Sequence, residues 1–217
     1  RRYNVHVELH EPRVRYRETI MGADESLGVF LDMLEKMGRL DNALVVVSAD
    51  HGESFENGLL GHAGPLLHDA LVHVPLVIKL PGQKVGRVVD TPVSQADIAP
   101  TVLDAVGAPA LPQADGRSLL PALQGHELPD RPVFSMAIER QSRFRPLKRG
   151  HYAMVDGRYK LVLHLPEAQY DLYDLQADPH EGTNLASAQP EMTSRLRGIL
   201  QAHLEAAEST RQRWFAR

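Results

Sequence analysis

The stretch ALVVVSADHG, residues 43–52, is the tightest constraint in this chain. Its continuous apolar run predicts a short strand covered on both faces, as in a parallel sheet. The run ends on a carboxylate and an imidazole, Asp50 and His51, followed by Gly52. Such a pair is costly to bury without partners, and a metal ion is the natural one. Open α/β sheets place their sites beyond the carboxyl ends of the strands, which is where these two residues fall. A turn at Gly52 can bring both side chains to one ion. Two donors do not complete a site, because a divalent ion takes about four to eight, so further carboxylates must come from elsewhere in the fold. The residues alone equally fit a turn in which Asp50 caps the backbone and His51 is simply hydrogen-bonded.

Around that strand the pattern is α/β. Residues 1–13 look extended, and a helix is predicted from Tyr16 to Met37, with Ile20, Leu27, Phe30, Leu31, Leu34 and Met37 at helical spacing and Gly38 as C-cap. A second apolar run, VHVPLVIKL, and a third strand between Val88 and Ser94 precede a helix through DIAPTVLDAVGA, where Pro100 fits only the first turn. Past Gly125 the pattern becomes antiparallel: RPVFSMAIE is strand-like, and HYAMVDGRYKLVLHL holds two runs about an Asp156-Gly157 turn. LYDLQADPHEGTNLA reads as a polar link, and Pro190 to Ala207 as a helix with Met192, Leu196, Ile199, Leu200, His203 and Leu204 on one face. The expected division is an α/β portion, 1–126, and a C-terminal subdomain, 127–217, made of a small antiparallel sheet and a helix.

The bulk composition, 43% hydrophobic and 24% charged, is that of a folded globular chain. A net charge of -4 supplies no basic field, so a nucleic-acid partner is not expected. No apolar run approaches the roughly 18 residues of a membrane span. The chain has no cysteine, which excludes disulfides and Cys-ligated zinc.

SADHGESFENGLLGHAGPLLHDALVHVPLVIKLPG closely resembles the sulfatase family of the alkaline-phosphatase superfamily, in which a strand ends on Asp-His-Gly-Glu or a close variant and a later V-P-L-hydrophobic strand closes on Pro-Gly. The resemblance continues through TPVSQADIAPTVLDAVGAP, ADGRSLLPALQG, YKLV and LYDLQADPHEGTNLA, in the family's order. It implies an alkaline-phosphatase-like fold, with a mostly parallel sheet and flanking helices before the small antiparallel sheet. It implies Asp50 and His51 as metal ligands and His62 as the cationic or proton-donating residue near the substrate. The metal implied is divalent, calcium by family practice, with Mn2+, Mg2+ and Zn2+ as alternatives, of which the imidazole of His51 better suits Mn2+ or Zn2+.

One departure stands out. The family carries its nucleophile in an N-terminal C/S-x-P-x-R motif, whose Cys or Ser becomes formylglycine, and no such motif occurs here. The resemblance therefore implies a C-terminal half, inactive alone, whose partners are a sulfate or phosphate ester, the N-terminal half of the same protein, or further copies of itself. Phosphate or phosphonate ester hydrolases and transferases of the same superfamily are the alternative, as is a non-catalytic module.

Other candidates carry weaker expectations. Glu53 fits either an acid that orients His51 or one in the first turn of a helix. His73 alternates with Val72 and Val74 and is expected on one strand face. Arg140, Arg143, Arg145, Lys148 and Arg149 form a basic segment that fits either an anion-binding surface or a solvated loop.

Overall fold

The computed structural model describes residues 5–55, 61–62, 67–112, 114–138 and 149–215. Of the basic segment, only Arg149 lies inside the described residues. The chain divides into two compact units, one of residues 1–62 with 73–129 and one of residues 63–72 with 130–217.

The first unit begins with helix α1, Val5–Lys36. It starts well before Tyr16, so the extended reading does not hold over residues 5–13, while residues 1–4 lie outside the described residues. Local extended pattern is a weak competitor once a helix has nucleated, since each added residue gains a backbone bond. The expected apolar stripe splits: Leu27, Leu31 and Leu34 are half-buried, whereas Ile20, Phe30 and Met37 face solvent. Gly38 ends the helix at φ +65°, donating its amide to the Glu35 carbonyl at 2.8 Å, as a C-cap glycine should.

Strand β1, Val45–Ser48, pairs with β2, Leu76–Lys79, with Val45 opposite Lys79 and Ser48 opposite Leu76. The pairing is antiparallel, so these two apolar runs are not parallel neighbours, and no parallel pair occurs among the described residues. A continuous apolar run reports cover on both faces and carries nothing about the partner's direction. No strand forms between Val88 and Ser94. Pro92 cannot donate to a ladder, and Val88 is left exposed. His73 likewise falls in the irregular segment before β2, not on a strand.

Beyond that segment a tight polar knot forms. The buried carboxylate of Asp97 accepts from the amides of Ser94 (2.9 Å) and Arg117 (2.8 Å). Buried Thr101 donates to the Asp97 carbonyl at 2.6 Å and accepts from the Leu119 amide at 2.8 Å. These bonds tie the start of α3, Ile98–Ala105, to the segment leading into the short helix α4, Leu120–Leu123. Pro100 lies in the first turn of α3, where its missing N–H costs nothing. Gly116 is required at the crossing: a Cβ there would stand 1.9 Å from the Ala96 carbonyl oxygen.

The second unit is a four-stranded antiparallel meander in sequence order, β3 Val133–Ile138, β4 Gly150–Asp156, β5 Tyr159–Leu165 and β6 Gln169–Asp174. The hairpin predicted at Asp156-Gly157 forms, with Asp156 paired to Tyr159 and Gly157 at φ +58°. Strand β6 begins before the segment that reads as a polar link and ends inside it; Gln169, Asp171 and Asp174 interrupt the apolar positions Tyr170, Leu172 and Tyr173.

The two faces of this sheet pack differently. Met154, Leu161, Leu163 and Leu172 meet Leu196 and Leu200 of the C-terminal helix α5, Pro190–Phe215, in the main core. Each fully buried side chain of this size contributes about 1.5–3 kcal/mol. On the other face Ala153, Val162 and Tyr173 pack with Leu67. That second face also carries Lys160, fully buried with its Nζ 2.7 Å from Oε1 of Glu181. The other oxygen of Glu181 accepts from the amide of Asp69 (2.6 Å) and bonds His68 Nδ1 (3.2 Å), so one carboxylate anchors the start of the short helix α2, Asp69–Val72. No helix among the described residues is long and apolar enough to cross a membrane.

Candidate active site at the end of β1

The end of β1 is held from both sides. Ser48 Oγ donates to the Pro75 carbonyl at 2.9 Å, and Gln95 Nε2 donates to the Ala49 carbonyl at 2.5 Å. The backbone then bends, and Asp50 Oδ1 accepts the amide of His51 at 3.0 Å while the rest of its carboxylate faces solvent. His51 Nδ1 lies 2.9 Å from the Gly52 carbonyl, which can only accept, so the ring proton belongs on Nδ1. The lone pair is therefore on Nε2, which stands 3.8 Å from Asp50 Oδ2. A carboxylate oxygen and an imidazole lone pair within that distance are two donors that can meet on one cation.

The loop returns to the same place. Ser54 and Gly61 form a two-bond bridge, with Gly61 N to Ser54 O at 2.9 Å and Ser54 N to Gly61 O at 3.2 Å. This closure sets His62 beside Glu53, Nδ1 to Oε2 at 2.9 Å, and brings its ring to 4.2 Å from that of His51, tilted by 35°. His51, Glu53 and His62 offer donor atoms that all lie within 4.8 Å of one another, the only such trio found among the described residues. Helix α1 backs the loop, with Tyr16 against Phe55 at 5.3 Å.

Of the residues singled out from sequence, His51 and His62 thus share one donor group with Glu53, whereas Asp50 lies outside that group and approaches His51 alone, at 3.8 Å. Glu53 does not lie in a helix and bonds His62, not His51. Its nine-residue separation from His62 matches no periodicity, and only the Ser54–Gly61 closure brings the two together. Among them the donor set is mixed nitrogen and oxygen, which fits a divalent ion.

A family model for sulfatases matches residues 5–108, and one described as N-sulphoglucosamine sulphohydrolase, C-terminal, matches residues 63–209. The chain belongs to the sulfatase family. Arylsulfatase K of Mus musculus is 32% identical over 204 residues, covering 87% of this chain and 35% of that protein. Choline-sulfatase of Rhizobium meliloti is 33% identical over 178 residues, covering 80% of this chain and 33% of that protein. Among solved structures, the phosphonate monoester hydrolase SpPMH from Silicibacter pomeroyi superposes with a TM-score of 0.72 at 31% identity, over 84% of this chain and 38% of that one. The chain spans about a third of the length of the curated relatives it matches. Sulfatases are hydrolases that bind a divalent metal, and the α/β architecture with a small antiparallel sheet and C-terminal helix is theirs. Glu181 and Lys160 fall within the C-terminal sulfatase match.

Proposed function

We propose that Asp50, His51, Glu53 and His62 form one side of the active site of a sulfuric-ester hydrolase whose formylglycine nucleophile lies in polypeptide beyond these 217 residues. The observation that carries this reading is the grouping of His51, Glu53 and His62 donor atoms within 4.8 Å at the end of β1, with Asp50 Oδ2 3.8 Å from His51 Nε2.

Asp50 and His51 would hold the divalent ion, calcium by the family's practice, which when bound supplies Lewis-acid polarisation of the ester oxygen. The Gly52 carbonyl keeps His51 in the tautomer that leaves Nε2 available. Glu53 fixes the ring of His62 through Nδ1, so that Nε2 is the atom turned to chemistry. That atom can bind an anionic oxygen when protonated, or give its proton to the departing alkoxide. The imidazole in the ligand set also suits manganese or zinc.

A second reading, hydrolysis of phosphate or phosphonate monoesters, is favoured by the superposition on a phosphonate monoester hydrolase. Assaying the chain alone, and the protein extended by the coding sequence upstream of Arg1, on nitrophenyl sulfate, nitrophenyl phosphate and a phenylphosphonate ester separates the readings. The chain alone should be silent on all three, and the extended protein fastest on the sulfate. Sulfate turnover by the 217 residues alone would overturn the placement of the nucleophile, and a preference for the phosphonate would favour the second reading.

A further inference from the structure

The second sheet face carries a cluster that the proposed active site does not use. His151 in β4 and His164 in β5 are directly opposed in the register, and their Nδ1 atoms stand 2.5 Å apart with the rings edge-on at 81°. On its other side His164 Nε2 lies 2.7 Å from Oδ2 of Asp171 in β6. That carboxylate is itself held: Oδ1 accepts from Asn184 Nδ2 at 2.5 Å, and Oδ2 from the Tyr173 hydroxyl at 3.4 Å.

The hydrogen-bond logic fixes the tautomer. A carboxylate only accepts, so His164 carries its proton on Nε2 and presents a lone pair at Nδ1. That lone pair points at Nδ1 of His151, so two ring nitrogens on adjacent strands converge on one point with a single proton between them. A metal-ligating histidine has this form, with one nitrogen on the ion and the other N–H given to a hydrogen-bonded carboxylate. From these contacts we propose that His151 and His164 form a second divalent-metal site, for zinc, copper or nickel, with Asp171 orienting His164.

The fit asks for a modest opening. Two nitrogens about 2.0–2.1 Å from a tetrahedral ion stand about 3.3 Å apart, so the pair must separate by about 0.8 Å. Both side chains are only half-buried, and small rotations within the rings' rotamer wells supply that movement while the strand register stays fixed. Because both side chains are partly exposed, solvent would supply the remaining donors. Burial, with the neighbouring Asp171 carboxylate adding to it, pushes the Tyr173 phenol up to about 12, so it remains a neutral donor to Asp171 and not a ligand. Imidazole nitrogen selects borderline metals over calcium and magnesium, so this site should ignore the ion expected at Asp50 and His51.

The test is zinc binding by calorimetry to the full chain carrying His51→Ala and His62→Ala, in excess calcium, so that failure of the β1-end site leaves it unaffected. One equivalent of zinc should bind. His151→Ala or His164→Gln, added separately, should each abolish it, the second keeping a bond to Asp171 in case the first perturbs the sheet. Asp171→Asn should weaken it about 10-fold to 100-fold. No zinc uptake in the starting variant, or uptake that survives both histidine changes, overturns the proposal.

Discussion

Lys160 and Glu181 meet at 2.7 Å, Nζ to Oε1, with both side chains out of solvent. Buried charges need partners, and here each is the other's nearest, with Asp69 Oδ1 a further 3.4 Å contact of Lys160. Removing one partner should therefore cost far more than an exposed ion pair does. Lys160→Met is expected to lower the unfolding free energy by about 3–5 kcal/mol, read from urea denaturation. Lys160→Met with Glu181→Leu should recover only part of the loss, because the amide of Asp69 still loses its acceptor.

The same carboxylate makes the chain acid-sensitive. Burial alone would raise the pKa of Glu181, but the bond to His68, the charge of Lys160 and the Asp69 amide together bring it below the ordinary value. Asp174 behaves alike, with burial outweighed by Arg158 and by the amides of Ala177 and Gln176. A carboxyl depressed in the folded state stabilises it above the unfolded pKa and loses that contribution as pH falls through the folded value. The urea midpoint should thus be level above about pH 5 and fall below about pH 4. Glu181→Gln should flatten part of that fall, and an unchanged slope would remove Glu181 from the account.

Gly61 stands at φ +92°, and a Cβ there would lie 3.1 Å from Glu53 Oε1. Gly61→Ala should destabilise by more than about 1 kcal/mol through the backbone and displace Glu53 from His62. Both thermal midpoint and divalent-ion affinity should drop. A lowered midpoint with unchanged affinity would separate the Glu53–His62 contact from ion binding.

The first unit presents apolar side chains to solvent. Val85 is 79% and Val88 85% exposed, and Val77 in β2, with Val29 and Phe30 on α1, adds to them. The β1–β2 pair also offers unpaired edges among the described residues. The chain by itself should self-associate or bind an exposed-hydrophobe dye. Light scattering that shows a dye-negative monomer at high concentration would contradict this.

For the extended protein, His62 and Asp50 should fail differently. If His62 gives its proton to the departing oxygen, His62→Ala should slow esters of poor leaving groups by about 100-fold to 10,000-fold and spare nitrophenyl esters. Asp50→Asn should slow both, since charge on the ester oxygen must be stabilised whichever group leaves. Equal losses for the two ester types in His62→Ala would leave anion binding as that residue's role.

What the sequence determined by itself were the features written in neighbouring residues. Asp156-Gly157 between two apolar runs specifies a hairpin, Pro190 onward places Leu196 and Leu200 on one helical face, and the run to Ser48 stops a strand on Asp50 and His51. Each depends on turn chemistry or a period of two or 3.6 residues, which a short window contains. The direction of β1 against β2, the strand hidden in Gln169–Asp174, and the start of α1 at Val5 were settled by pairing and cooperative helix growth that no such window carries. Glu53 with His62, His164 with Asp171, and above all Lys160 with Asp69 and Glu181 were decided only by tertiary structure. Asp69 and Lys160 lie 91 residues apart, and a buried charge finds its partner by the geometry of the packed sheet, not by spacing along the chain.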